Sequence, residues 1–147
     1  MKKNSLFLLL AFWIHAAVAQ TGISSSPNTV NVPLVVKTKF SRDYPNSIPD
    51  WGLDGSYYSA VYYDQGNNLG RAVVYDKSGK VIRVDTEMSA GSYPLAINDY
   101  YLQNYPDEGY TVWSSKDRAG MLMYYSTRQG KKIWFDKNGK HSAKKNS

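Results

Sequence analysis

Apolar and polar positions along this chain follow two rhythms, and each rhythm occurs twice. Val32, Val35, Val36 and Phe40 stand against Lys37, Lys39, Ser41 and Arg42, the spacing of a helix with one buried stripe. Leu95, Ile97, Tyr101 and Leu102 stand against Asn98, Asp99 and Gln103 in the same way. Pro45 and Pro106 end the two helices. Asn31 or Thr29 is placed to cap the first, with Pro33 in its opening turn. After each helix the period shortens to two. Trp51 lies in a short strand closed by Asp54-Gly55, and strands follow over 57–63, 69–75 and 80–88, rich in Tyr and Val. A second set covers 110–114, 121–127 and 131–135. From Lys140 onward the alternation of Val81-Ile82-Arg83-Val84 is lost, so a last strand there should be short, frayed or missing.

One turn is written twice. Val73-Val74-Tyr75-Asp76-Lys77-Ser78-Gly79-Lys80 returns as Ile133-Trp134-Phe135-Asp136-Lys137-Asn138-Gly139-Lys140. Asp opens such a turn by accepting from nearby backbone N–H groups, and Gly takes the left-handed position. Val32 to Tyr44-Pro45 aligns with Tyr93 to Tyr105-Pro106, and Trp51 with Trp113. Repeats at such a spacing point to a duplicated unit. The expected architecture is α+β: a tandem repeat of a helix plus an antiparallel β-meander, over 32–92 and 93–140, with the helices on one face of the sheet.

Alternation assigns the faces. Val73, Tyr75, Ile133 and Phe135, with Tyr58, Ala60, Tyr62, Leu122 and Tyr124, belong on the helix side. The opposite face then carries Tyr57, Val61, Tyr63, Val74, Met121, Met123, Tyr125 and Trp134. That is a large aromatic and apolar set for a face that no helix covers, and these eight are the candidate partner-binding residues.

The N-terminus changes the address. Lys2 and Lys3 precede an apolar run from Leu6 to Ile14, and Ala17-Val18-Ala19 is a small-x-small cleavage site. Residues 1–19 read as a signal peptide cut between Ala19 and Gln20, and 20–31, rich in Ser, Thr, Gly and Asn, as a flexible lead. The run is too short to span a bilayer, so no stable membrane insertion is expected after cleavage. Loss of Lys2 and Lys3 lowers the formal charge from +6 to +4, with the basic residues concentrated toward the tail at 141–147. That tail reads as a frayed end, and export argues against nucleic acid as a partner. The chain has no cysteine, so neither a disulfide framework nor a thiolate site exists. A periplasmic or secreted protein held together by aromatic packing is the expectation.

The ordered set Val-Pro-x-x-Val…Phe…Tyr-Pro, Trp51, Asp54-Gly55-x-Tyr57-Tyr58-x-Ala60 and Val73-Val74-Tyr75-Asp76-x-x-Gly79-Lys80 resembles the β-lactamase-inhibitor-like, PepSY-like family of exported Bacteroidota proteins. The resemblance spans nearly all of residues 30–140, duplication included. It implies helices packed on one face of an antiparallel sheet, as in the β-lactamase inhibitor protein. It implies no catalytic residues. That inhibitor is stapled by disulfides, which this chain cannot form, so inhibition of a β-lactamase is not expected.

The chemistry-bearing residues are few. After cleavage the only histidine is His141, in the basic tail, too little for a Ser-His-Asp triad or a histidine metal site. Asp64 to Gly70 has acidic and amide groups but lacks the glutamate that ends a calcium loop, and reads as a hairpin loop. No catalytic residue, cofactor or metal is assigned. The expected function is an exported, non-enzymatic binding module that engages a protein or peptide of the cell envelope through the aromatic sheet face. Self-association as a homodimer, and small-ligand or carbohydrate binding on Trp51, Trp113 and Trp134, are the alternatives.

Overall fold

A computed structural model describes residues 30–143. The signal peptide, its cleavage site, the lead as far as residue 29, and Lys144 and Lys145 of the tail lie outside the described residues. Helix α1 (Leu34–Asp43) precedes strands β1 (Asp50–Asp54), β2 (Tyr57–Tyr63), β3 (Gly70–Tyr75) and β4 (Val81–Glu87). Helix α2 (Leu95–Asn104) precedes β5 (Val112–Asp117), β6 (Leu122–Arg128), β7 (Lys131–Phe135) and β8 (His141–Ser142). All eight strands form one antiparallel sheet in sequence order. β4 and β5 join its two halves.

Both helices start and stop by the same means. Pro33 and Pro94 occupy the N-cap positions with extended backbone, and among the described residues neither helix has a side-chain cap. Asn31 therefore does not cap α1, and Pro33 lies one place ahead of the first helical residue. Each proline supplies a preset φ where a missing N–H costs nothing. At the other end Tyr44 N–H donates to the Phe40 carbonyl, and Tyr105 N–H to that of Tyr101. Each helix is ten residues long, too short to persist without packing.

The turns carry the same stamp. Asp76 Oδ1 accepts from the N–H groups of Ser78 and Lys80 at 2.8 and 3.1 Å, and Asp136 Oδ1 from those of Asn138 and Lys140 at 2.9 and 3.0 Å. Gly79 and Gly139 hold φ of 83° and 80°. A Cβ on Gly139 would stand 2.8 Å from Pro94 Cβ, so the turn presses on the first turn of α2.

The helix face of the sheet carries two apolar clusters. Val36 and Phe40 of α1 meet Ala60, Tyr62, Val73 and Tyr75. Ile97 and Tyr101 of α2 meet Val112, Tyr124 and Phe135. Val35, Leu95 and Leu102, read as part of the buried stripes, are exposed, as is Leu122. A ten-residue helix laid on a sheet buries a stripe one or two residues wide, narrower than the apolar pattern allows. Trp51 and Trp113 also part company. Trp51 packs edge-on to Phe40 at 5.6 Å, whereas Trp113 pairs with Tyr125 on the opposite face. With a period of two, strands registered one residue apart send the aligned residues to opposite sides.

Candidate functional site

The face away from the helices is concave. A contact joins two strands that a flat sheet would keep apart. Lys132 Nζ on β7 donates to Asp54 Oδ2 on β1 at 2.7 Å. Six strand spacings separate β1 from β7, roughly 29 Å along a flat sheet. Twist accumulated over those six steps, roughly 120–150°, swings the β1–β2 turn across the inner face toward the β6–β7 turn.

The inner face is built around charge. Arg83 Nε donates to Asp85 Oδ1 at 2.8 Å, and Arg83 Nη2 donates to Asp54 Oδ2. Tyr125 Oη donates to the other oxygen of Asp85 at 3.1 Å. The ammonium of Lys132 stands 4.4 Å from the Tyr125 ring centroid and 5.7 Å from that of Trp134, with the Arg83 guanidinium 5.9 Å from the Trp134 ring. Two cations and two carboxylates thus compensate one another over an aromatic floor. Burial works against the Asp54 carboxylate, but hydrogen bonds from Lys132 and Arg83 outweigh it and hold its pKa below the usual carboxylate value. Burial, then the Asp85 charge beside it, pushes the Tyr125 hydroxyl well above the ordinary tyrosine value. Burial also opposes the charge on Arg83, but Asp85 and Asp54 overcome it and raise its pKa.

A groove of about 920 Å³ opens over this floor. Asp54 and Tyr57 line one wall, Met121 and Met123 another, and Lys131 and Lys132 a third, with Arg83 and Trp134 between them. At the far end of the concave face Trp113 lies over Gly70, where a Cβ would meet its ring at 2.6 Å. Gly70 N–H donates to Glu87 Oε2 at 2.7 Å.

Seven of the eight candidate residues alternate onto this face, opposite the helix-side positions in β2, β3, β6 and β7, and Met121, just ahead of β6, reaches its groove. They do not form the continuous exposed aromatic surface that alternation implied. Val74, Tyr125 and Trp134 are sealed at 0, 5 and 7% exposure. Tyr63, on β2, and Met121, just ahead of β6, are open at 69 and 59% and lie far apart along the sheet, and Val61 is partly open near the β1 edge. Tyr57, Met121 and Met123 reach the groove. The three tryptophans do not form a joint stacking platform: Trp51 is in the α1 core, Trp134 is buried, and Trp113 is half-buried. Asp54, Arg83, Asp85 and Lys132 went unread as a group. Their signal was the alternation of Arg83 and Asp85 with Val84, which places two opposite charges on one strand face.

Among the described residues no group of three or more His, Asp or Glu is arranged to hold a metal ion. His141 stacks on Tyr100 at 4.9 Å, on the helix side of the sheet with Phe135. Among the described residues no helix is long and apolar enough to cross a membrane.

The same fold occurs among solved structures. A protein described as periplasmic from Bacteroides eggerthii matches with a TM-score of 0.56 at 16% identity, over 75% of this chain and 85% of its own. A DUF2874 family protein from Bacteroides uniformis matches with a TM-score of 0.54 at 18% identity, over 75% and 86%. The chain shares the fold of these Bacteroides proteins. A BLIP-like protein from Bacteroides fragilis also matches, with a TM-score of 0.49 at 19% identity, over 78% and 85%. The first two come from Bacteroides, the group of bacteria to which the motif resemblance points. No protein-family model and no curated protein matches the chain.

Proposed function

We propose that the chain is an exported, non-enzymatic binding module, built from two copies of one helix-and-meander unit, that holds a protein or peptide partner in its concave groove. The groove carries the reading. It is large, it is walled by accessible Tyr57, Met121 and Met123, and the charged groups of its floor, Arg83, Asp85, Asp54 and Lys132, are paired with one another. Paired charges on a fixed floor suit recognition, because they offer hydrogen-bonding edges without a free acid or base for chemistry. Methionine and tyrosine walls adapt to a partner at low entropic cost. The doubling rests on matched proline starts, matched tyrosine ends and matched Asp-x-x-Gly turns. Export rests on the N-terminal pattern and on the periplasmic description of the Bacteroides eggerthii relative.

The test is selection of peptides from a displayed random library against the mature chain. Selected binders should lose at least tenfold in affinity against Met121→Asp and Tyr57→Asp, and keep it against Tyr63→Asp. Binders indifferent to the two groove variants, or a library that yields none, would overturn the reading.

A further inference from the structure

One corner of the fold is built twice and finished differently. Past the ends of α1 and α2, Ser47 N–H donates to the Tyr44 carbonyl and Glu108 N–H to that of Tyr105, each at 3.1 Å. Tyr44-Pro45-Asn46-Ser47 is thus the counterpart of Tyr105-Pro106-Asp107-Glu108. Tyr58 faces Tyr75 as Tyr124 faces Phe135, which makes Tyr62 the counterpart of Arg128. In the second half the Arg128 guanidinium lies 4.2 Å from the Tyr105 ring centroid, and its Nε and Nη2 donate to the two Glu108 oxygens, each at 2.8 Å. In the first half Ser47 and Tyr62 replace that pair, and the Tyr44 and Tyr62 rings stand 5.3 Å apart. A hollow of about 360 Å³ opens there, lined by Tyr44, Tyr62, Asn46, Ser47, Gln65 and the Asp64–Arg71 pair. Its wall is the β2–β3 loop over residues 64–69, where the second half has 129 and 130 alone. Asp64 braces that loop. Its Oδ1 accepts from Gly66 N–H at 2.9 Å, its carbonyl from Asn68 N–H at 2.8 Å and its Oδ2 from Arg71 Nε at 3.0 Å.

We propose that this hollow is a binding site for a neutral saccharide, with one sugar ring against Tyr44. The second half shows what the corner takes: a flat group with a polar rim, resting on a tyrosine ring. Charge narrows the class. The Arg71 guanidinium is committed to Asp64 and the Asp64 carboxylate to Arg71, so the site has no spare charge to hold an anion or a cation. What it offers is a tyrosine surface, two side-chain amides, a hydroxyl and a braced ion pair whose outer edges still donate and accept. A pyranose matches that set. One face is made of C–H groups that pack on an aromatic ring, and each hydroxyl on its rim both donates and accepts. The volume lies at the small end of the range for small-molecule sites, as a short saccharide requires. The hydrogen bonds within the loop hold the wall in place before binding, which lowers the ordering cost. The hollow belongs to the helix side of the sheet, where Tyr44 and Tyr62 join the α1 cluster, and is independent of the concave groove.

The experiment is an amide NMR titration of the mature chain with the methyl pyranosides of glucose, galactose, mannose, xylose and N-acetylglucosamine, each taken separately, and with methyl glucuronide as the charged control. At least one neutral sugar should shift the amides of Ser47, Gln65 and Gly66 saturably, and do so more tightly than the glucuronide. Gln65→Ala, in the exposed loop, should weaken that sugar about tenfold, the worth of one hydrogen bond to a ligand. Ser47→Arg places a guanidinium beside Tyr44, as Arg128 stands beside Tyr105, and should abolish binding. Amide spectra of both variants that match the parent away from the corner show that the fold is kept. A panel that leaves these three amides unmoved would overturn the proposal. So would sugars that shift the amides of the groove instead, a preference for the glucuronide, or binding that both variants retain in full.

Discussion

The two faces of the sheet are both largely buried, but by different physics. On the helix face, Phe40 and Phe135 are removed from water by α1 and α2 in an ordinary apolar contact. On the concave face no helix lies among the described residues, yet Asp85 is 1% exposed and Tyr125 5%. There the sheet covers itself, because its coil brings side chains of β1, β4 and β7 together. A face that closes by coiling must accommodate the strand ends that meet there. Here these are charged, and they are satisfied by one another. The helix face buries apolar and aromatic side chains and no charge; the concave face stores paired charge and keeps a groove open above it.

The largest expected effect breaks the first half of that comparison. Phe40→Ala removes the ring that meets Tyr44, Trp51 and Tyr62 at 5.1, 5.6 and 5.5 Å. It should cost about 3–5 kcal/mol in urea unfolding, as large-to-small changes in a closed core do. A loss near zero would mean that α1 contributes little to holding the sheet.

Next comes the charge network. Asp85→Ala leaves the Tyr125 hydroxyl without its acceptor and takes one of two acids from Arg83. The expected loss is about 3 kcal/mol, the lower part of the range for breaking a buried pair, because Asp54 remains on Arg83. Arg83→Met combined with Asp85→Leu should regain most of it. If the double variant is the less stable of the two, packing rather than pairing governs this face.

A smaller effect, of opposite sign, sharpens the contrast between the two clusters on the helix face. Tyr75 is fully buried and its hydroxyl has no hydrogen-bond partner among the described residues, while the corresponding position in the second half is Phe135. Tyr75→Phe should raise stability by about 1 kcal/mol, since an orphaned buried hydroxyl costs about that much or more. A loss of stability would reveal a partner for that oxygen.

What could be read from the residues follows from the same contrast. The period of two placed Val73, Tyr75 and Phe135 under the helices and Val74 and Trp134 on the reverse, because alternation is a local property of a strand. The doubled Asp-Lys-x-Gly turn was legible for the same reason: its hydrogen bonds span four residues. Coiling is not local. Whether Trp134 is open or sealed depends on Lys132 and Arg83 beside it and on Asp54, 78 residues away in sequence from Lys132. A reading strand by strand therefore found the right face and missed its closure. The pairing of Trp51 with Trp113 failed similarly, since sequence offset does not carry strand register.

The smallest expected effect falls on the contact that shows the coil. Lys132 and Asp54 are each about one-third exposed, so their pair should be worth less than about 1 kcal/mol and should weaken with salt. Its pH dependence has a definite sign. The Asp54 carboxyl is held below its ordinary 3.8, so its contribution is complete above that value and is lost as pH falls through the lower folded one. Lys132→Ala removes one of the two hydrogen bonds that lower it, so the Asp54 carboxyl should titrate closer to 3.8 in that variant. Stability of the two proteins, measured by urea unfolding from pH 7 downward, should then differ most at neutral pH and converge as the pH drops below the carboxylate range. A difference that persists in acid would assign the role of Lys132 to its aliphatic stem over Tyr125 and Trp134 and not to its charge.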